Sequence, residues 1–214
     1  MRISLTFDNG PTPQITPAVL DTLARRGVRA TFFLVGSNLA GREARSIAER
    51  AHDEGHQLGN HSYTHTTPLG LMPDPLDAVA EVIRAEGALG CLAGDQRLFR
   101  PFGRATIGHH LLNRQVWEYL ERHNYTCVVW NVICREWERP DAWMAPALEL
   151  CRQHEWAVPV LHDLPTGAMQ QLDTFLGMLI DEGVTFSQDF PVDCTPIRAG
   201  RATRPVADLV PIDA

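Results

Sequence analysis

Within the 214 residues no apolar run approaches the roughly 20 needed to cross a bilayer, so no membrane-spanning helix is expected. Basic charge is scarce too. The formal net charge is -7, which argues against a nucleic-acid partner, and clustered arginines such as Arg25, Arg26 and Arg29 read as a solvated helix end. The five cysteines (Cys91, Cys127, Cys134, Cys151, Cys194) are odd in number, irregularly spaced and contain no CxxC pair. Neither a disulfide framework nor a thiolate zinc site is expected, and buried free thiols are. No GxGxxG follows the first apolar segment, which removes support for a dinucleotide site. Internal repeats and low-complexity stretches are absent, as is a leader pattern ahead of Ile3, so the expected location is cytoplasmic.

What is present is 44% hydrophobic residues, enough for one domain to bury a core without covalent help. Short apolar segments alternate with amphipathic ones, the rhythm of parallel strands joined by crossover helices. Strands are expected at 3–7, 30–35, 57–59, 98–100, 127–132, 158–161 and 185–187. Helices are expected at 43–53, 76–86, 111–122, 142–151 and 170–181, and the first begins at Pro17, capped by Thr16 and ended by Gly27. About seven such β–α units form either an open doubly wound sheet or a barrel. The polar residues favour one mouth. Asp8 and Asn9 follow the first strand, His61 and His65 the third, Arg100 closes the fourth, Glu136 lies just beyond the fifth, and His162 and Asp163 follow the sixth. The domain is expected over residues 1–190, with 191–214 as a Pro- and Arg-rich tail packed on the barrel.

In Asn60-His61-Ser62-Tyr63-Thr64-His65 a spacing of four puts both imidazoles on one side of a helical turn, where one metal can take both. Two surface histidines would fit the same spacing, as His109, His110, His123 and His154 illustrate. Thr6-Phe7-Asp8-Asn9-Gly10-Pro11 likewise reads either as a strand ending in a turn or as a source of oxygen ligands and a carboxylate base. Arg100 could pair with a structural carboxylate, and His162 could be a core histidine.

Taken in order, the motifs resemble the polysaccharide deacetylase family (the NodB-homology domain, carbohydrate esterase family 4). Thr6 to Pro11 is similar to its first motif, usually TFDDGP, with Asn9 in place of the second Asp. The second motif, HSxxH, is matched by 61–65, the third by Phe99-Arg100-Pro101-Phe102-Gly103 with a single Pro, the fourth by 130–137 and the fifth by Val160-Leu161-His162-Asp163. The resemblance covers residues 1 to about 190 and implies a single-domain α/β fold, a distorted (β/α) barrel of about seven parallel strands.

The resemblance also implies roles. Asp8 is the base, kept ionised by Arg100; His162 is the acid, oriented by Glu136; His61, His65 and Asn9 hold a divalent metal, typically zinc; the Phe102 N–H serves the oxyanion. Tyr63, Phe102, Trp130 and Trp137 are aromatics expected at the mouth, where they could stack on a sugar ring or else belong to the core. Asn9 is neutral, so the metal loses one compensating charge and its affinity should fall. The implied reaction is removal of an N-acetyl group from an amino sugar or oligosaccharide. A metal-independent amidohydrolase of a small cyclic amide and an inactive carbohydrate-binding module are the other readings. Asp8 and His162 are both expected in a solvent-reachable mouth, replaceable with little loss of fold.

Overall fold

The seven apolar segments all become extended chain in the computed structural model, which describes residues 1–210, but two of them break in two and a third is preceded by an extra short strand. In chain order the elements are β1 (Arg2–Ile3), β2 (Thr6–Asp8), α1 (Thr16–Arg26), β3 (Thr31–Leu34), α2 (Arg42–Asp53), β4 (Gln57–Asn60), α3 (Pro75–Leu89), β5 (Leu98–Phe99) and α4 (Arg114–Arg122). There follow β6 (Thr126–Cys127), β7 (Val132–Ile133), α5 (Met144–Arg152), β8 (Trp156–Ala157), β9 (Pro159–His162), α6 (Leu172–Asp181), β10 (Thr185–Phe186), β11 (Ile197–Arg198) and β12 (Arg201–Ala202). No helix among the described residues is long and apolar enough to cross a membrane.

The first break lies at Ser4 and Leu5, where the chain changes partners. β1 pairs in parallel with β8 and β10 in a three-stranded sheet, whereas β2 pairs in parallel with β3 and β9 in the main one. The Ser4 hydroxyl holds the corner, donating to the Asp189 carbonyl and accepting the Trp156 indole N–H at 2.8 Å. The main sheet runs β12-β11-β6-β5-β4-β3-β2-β9-β7, parallel from β6 to β7. β6 and β7 stand almost at opposite ends of that order, yet four residues of chain join them, so the sheet must curl round. Among the described residues no ladder pairs β6 with β7. The seam is carried instead by residues 128–131: Val128 N–H donates to Phe99 O (2.8 Å) and Val129 N–H to Cys194 O (2.8 Å). The Asn131 side chain then accepts from Val158 N–H (2.7 Å) and donates to Trp156 O (2.9 Å), replacing a missing strand with an amide.

Strands β2 and β3 are buried on both faces, which explains their unbroken apolar character. Phe32 and Phe33, adjacent on β3, point to opposite faces. Phe32 stacks on Phe7 in the cluster shared with α1, α2, α5 and α6, while Phe33 joins the cluster shared with α3, α4 and the C-terminal residues. Gly27, with φ 63°, ends α1 as expected. Thr16, however, sits inside that helix, and its hydroxyl bonds Asp163 instead of capping. The fourth expected helix begins late, at Arg114, because the Asn113 side chain caps it by accepting Val116 N–H at 2.8 Å.

The tail contributes to the sheet. β11 pairs antiparallel with β6 and β12, through a turn in which Ala199 (φ 46°) and Gly200 (φ 74°) both take left-handed backbone. Cys194, Ile197, Leu209 and Val210 are buried; residues 211–214 lie outside the described residues. Four of the five cysteines are buried thiols, and Cys91 is exposed, contrary to expectation, because it lies in a one-turn surface helix after α3.

The Asn131→Ala variant leaves the Val158 N–H and the Trp156 carbonyl without partners. It should lose about 1–3 kcal/mol of unfolding free energy, measured by urea titration.

Candidate active site

Register in a parallel sheet decides which residues meet at its C-terminal edge. Asp8 is directly opposite His162 on β9 and Phe33 on β3, and one row across, Leu34, Asn60 and Phe99 align. The residues that follow these, Asn9, His61 and Arg100, therefore leave the sheet on the same rim. His61 N–H bonds Leu34 O at 3.0 Å and Arg100 N–H bonds Asn60 O at 2.9 Å, so the ladder runs on into the site.

Arg100 is fully buried, and four of its five guanidinium N–H groups find acceptors. Nη1 donates to Asp8 Oδ1 (2.8 Å) and Thr6 Oγ1 (2.7 Å), Nε to Val128 O (3.3 Å) and Nη2 to Val129 O (3.5 Å), with the Phe33 ring beneath at 4.1 Å. Burial opposes ionisation of Asp8, but Arg100, and after it His61 and His162, outweigh burial and hold the carboxyl below its ordinary value. Asp8 is only 4% exposed, deeper than the solvent-reachable position expected of it.

His61 is buried and His65 largely so, and desolvation lowers both pKa values, that of His65 to about 3, so both rings are neutral. The His61 Nδ1 lies 2.8 Å from Arg100 O; a carbonyl can only accept, so Nδ1 carries the proton and Nε2 the lone pair. That Nε2 faces Asp8 Oδ2 at 3.6 Å. Two acceptors facing each other at that separation call for a cation between or beside them. The expected helical turn is not formed: residues 61–65 are a loop with Ser62 (φ 64°) and His65 (φ 53°) left-handed, and it is this loop that brings the rings to 4.8 Å between centroids.

Asn9, also left-handed (φ 79°), gives its carbonyl to Asn38 Nδ2 at 2.7 Å, while its Oδ1 is buried without a hydrogen-bond partner. An orphaned amide oxygen beside two neutral imidazoles fits a divalent cation. No three His, Cys, Asp or Glu side chains among the described residues cluster closely enough to hold one by themselves. The donor set here is two imidazoles and an amide.

On the opposite side, Glu136 Oε1 accepts both the backbone N–H and the Nδ1–H of His162, each at 2.8 Å. Burial disfavours the imidazolium, but the Glu136 hydrogen bond and charge, followed by Asp8 and Asp163, raise the His162 pKa above its ordinary value. Trp137 sets its ring edge-on to His162 at 4.7 Å, and Phe102 packs on His65 at 3.9 Å. The Phe102 N–H finds no acceptor among the described residues. A cavity of about 350 Å³ opens over these groups, within the size of small-ligand sites.

Tyr63 is not in that cavity. Its ring lies under the Arg84 guanidinium at 3.9 Å and against Gly36, which lacks the side chain that would collide with it. Sequence reading did not single out Arg104, Arg135 or Glu138, which line the wall. Arg104 follows the third motif and Arg135 and Glu138 flank Glu136 and Trp137, so proximity to the motifs was the available signal. Asp163 was quoted without a role: it is fully buried, hydrogen-bonded by Thr16, and raised by burial to about 6.

Residues 1–128 match the family model described as polysaccharide deacetylase. The peptidoglycan-N-acetylglucosamine deacetylase PgdA of Listeria monocytogenes is 30% identical over 86% of this chain, which spans 37% of that relative's length. A chitooligosaccharide deacetylase of a Bradyrhizobium strain is 34% identical over 75% of this chain and 70% of its own. Among solved structures, a family 4 carbohydrate esterase from Streptomyces lividans in complex with acetate superposes with a TM-score of 0.74 at 26% identity, covering 92% of this chain and 97% of that one.

The His162 imidazole, followed by NMR, should titrate above 6.5 in the wild type and lower in Glu136→Gln. The sign for stability follows. The contribution is fully present below the unfolded value near 6.5 and is lost as pH rises through the raised folded value. A Glu136→Gln midpoint equal to wild type would contradict this pairing.

Proposed function

The chain belongs to the polysaccharide deacetylase family, and from that premise we propose that it hydrolyses the N-acetyl amide of an acetylated amino sugar or oligosaccharide. The observation that carries the reading is the in-register pair Asp8 and His162, whose surroundings move their pKa values apart: Asp8 downward, His162 upward. An ionised carboxylate and a protonated imidazole on neighbouring strand ends are the two groups that amide hydrolysis needs.

In this mechanism Asp8 accepts a proton from water as its oxygen bonds to the acetyl carbonyl carbon. The free N–H of Phe102 is the candidate donor to the resulting oxyanion. His162, with Nδ1 held by Glu136, presents Nε2 to the amine nitrogen and gives it a proton as the C–N bond breaks, leaving acetate and the free amine. Arg100 keeps Asp8 charged and fixed while leaving Oδ2 unengaged by the guanidinium. A divalent cation, zinc in our reading, held by Asn9 Oδ1 and the imidazoles of His61 and His65, would supply Lewis acidity to the carbonyl and acidify a water. The neutral Asn9 lowers affinity for that cation without removing its oxygen ligand.

Sugar recognition rests on the aromatic wall. Phe102, Trp130 and Trp137 line the cavity, and flat rings suit the apolar faces of pyranoses. The names of the Listeria and Bradyrhizobium relatives, deacetylases of peptidoglycan N-acetylglucosamine and of chitooligosaccharides, support the same substrate class.

Acetate release from chitooligosaccharides should be lost in Asp8→Asn and His162→Ala by at least two orders of magnitude. The variants differ in stability. Asp8→Asn leaves the buried Arg100 charge uncompensated and should lose about 3 kcal/mol, whereas His162→Ala takes the imidazole from buried Glu136 but leaves it the residue-162 N–H and should lose less. Chelation should abolish the activity and zinc restore it; activity indifferent to chelator would exclude the cation from the mechanism. Asn9→Asp should tighten zinc binding at least tenfold, read by competition with a chromophoric chelator.

A further inference from the structure

The two imidazoles of the site are not held with equal security. His61 is fixed twice, by its backbone N–H on Leu34 O and by its ring on Arg100 O. The His65 ring makes tilted ring contacts with His61 and Phe102, and its position depends on the left-handed loop that carries it. Left-handed backbone at non-glycine residues such as Ser62 and His65 is strained and persists only where surrounding contacts over-determine it.

Those contacts converge from three sides. Gly36 and Ser37 donate their N–H groups to the carbonyls of Ser62 and Tyr63, each at 2.9 Å. The Asn60 side chain accepts Ser62 N–H at 3.0 Å and anchors itself on Val82 O of α3 at 2.9 Å. The third contact is a charge. Glu81, on α3 and only 7% exposed, directs one carboxylate oxygen at Tyr63 N–H (3.1 Å), Thr64 N–H (2.7 Å) and the Thr64 hydroxyl (2.9 Å). Its other oxygen lies 3.9 Å from Arg84 Nη1, and Arg84 covers Tyr63 in the same loop.

We propose that Glu81 is a positioning residue for the cation site, acting through the 63–64 backbone to place the imidazole of His65. The proposal rests on the cation-dependent reading above. Three donors on one oxygen can hold the two residues before His65 in only one arrangement, and no neutral side chain of that length accepts them as strongly. Outer partners of this kind typically change cation affinity ten- to a hundredfold when removed. The loss should travel through His65 and spare His61, which has its own anchors.

The test measures cation binding, not turnover. Chelator-stripped protein is titrated with cobalt(II), recording the visible d–d absorption and the dissociation constant for wild type, Glu81→Ala, Glu81→Gln, His65→Ala and the Glu81→Ala/His65→Ala double variant. Glu81→Ala should weaken cobalt binding ten- to a hundredfold and alter the absorption band; Glu81→Gln, which keeps an acceptor oxygen, should do less. In the His65→Ala background Glu81→Ala should add nothing, because its route is already gone. Effects that multiply, or a Glu81→Ala protein with wild-type affinity and spectrum, overturn the proposal while leaving the deacetylase reading intact. Wild-type protein that binds no cobalt overturns the proposal together with the cation-dependent reading on which it rests. Should Glu81→Ala fail to fold, judged by circular dichroism, Glu81→Gln with and without His65→Ala carries the same comparison.

Discussion

A guanidinium with no solvent exposure is the constraint around which the site is arranged. Removing such a charge from water costs several kcal/mol, and Arg100 recovers this only by engaging Asp8, Thr6 and two carbonyls of the 128–129 segment at once. The same residue acts a second time through its backbone. Its carbonyl takes the Nδ1–H of His61 and so turns the lone pair of Nε2 toward Asp8. One residue at the end of β5 thus sets the charge and orientation of the carboxylate and the tautomer of the imidazole facing it. Neither result could survive a shift of the β4–β5 register, because both bonds require Arg100 to leave the sheet directly beside Asn60.

The site is also divided electrically. On one side lie neutral donors, His61, His65 and the Asn9 amide; on the other, the Glu136–His162 pair carries opposite charges in contact. Asp8 stands between them, opposite His162 in register and facing His61 across 3.6 Å. With Asn9 uncharged, the anion that faces the imidazole side among the described residues is Asp8, the carboxylate that also serves as the base in the proposed reaction.

Much of this was legible in the sequence, for physical reasons that differ by element. Buried parallel strands read as unbroken apolar runs, so β2, β3, β4 and β9 were found, and with them the rim on which Asp8, His61, Arg100 and His162 lie. Partner exchange has no local signature, which is why the breaks at Ser4 and near Asn131 were not visible. The hairpin of β11 and β12 turns on Ala199 at positive φ, where the usual marker would be Asn or Asp. HxxxH spacing suggested a helical turn because the pattern is periodic, whereas the loop actually formed depends on the adjacent Asn60 together with Gly36 and Glu81, which are distant in sequence. Tyr63 was placed at the mouth from its position between two site histidines; alternation along a strained loop sent its ring the other way, under Arg84.

The amide of Asn131 gives the seam of the sheet a property that a continuous ladder would not have. Strand pairing fixes spacing in steps of whole residues, but a side-chain bridge has a length set by its own rotamer. The wall beyond it, which carries Ile133, Arg135 and Trp137 into the cavity, is held by that bridge and by the β7–β9 ladder, while Asp8 and Arg100 are secured by the ladder that runs from β9 through β2, β3 and β4 to β5. Residue 131 therefore bears on the footing of that wall without taking part in the register that sets Asp8 opposite His162.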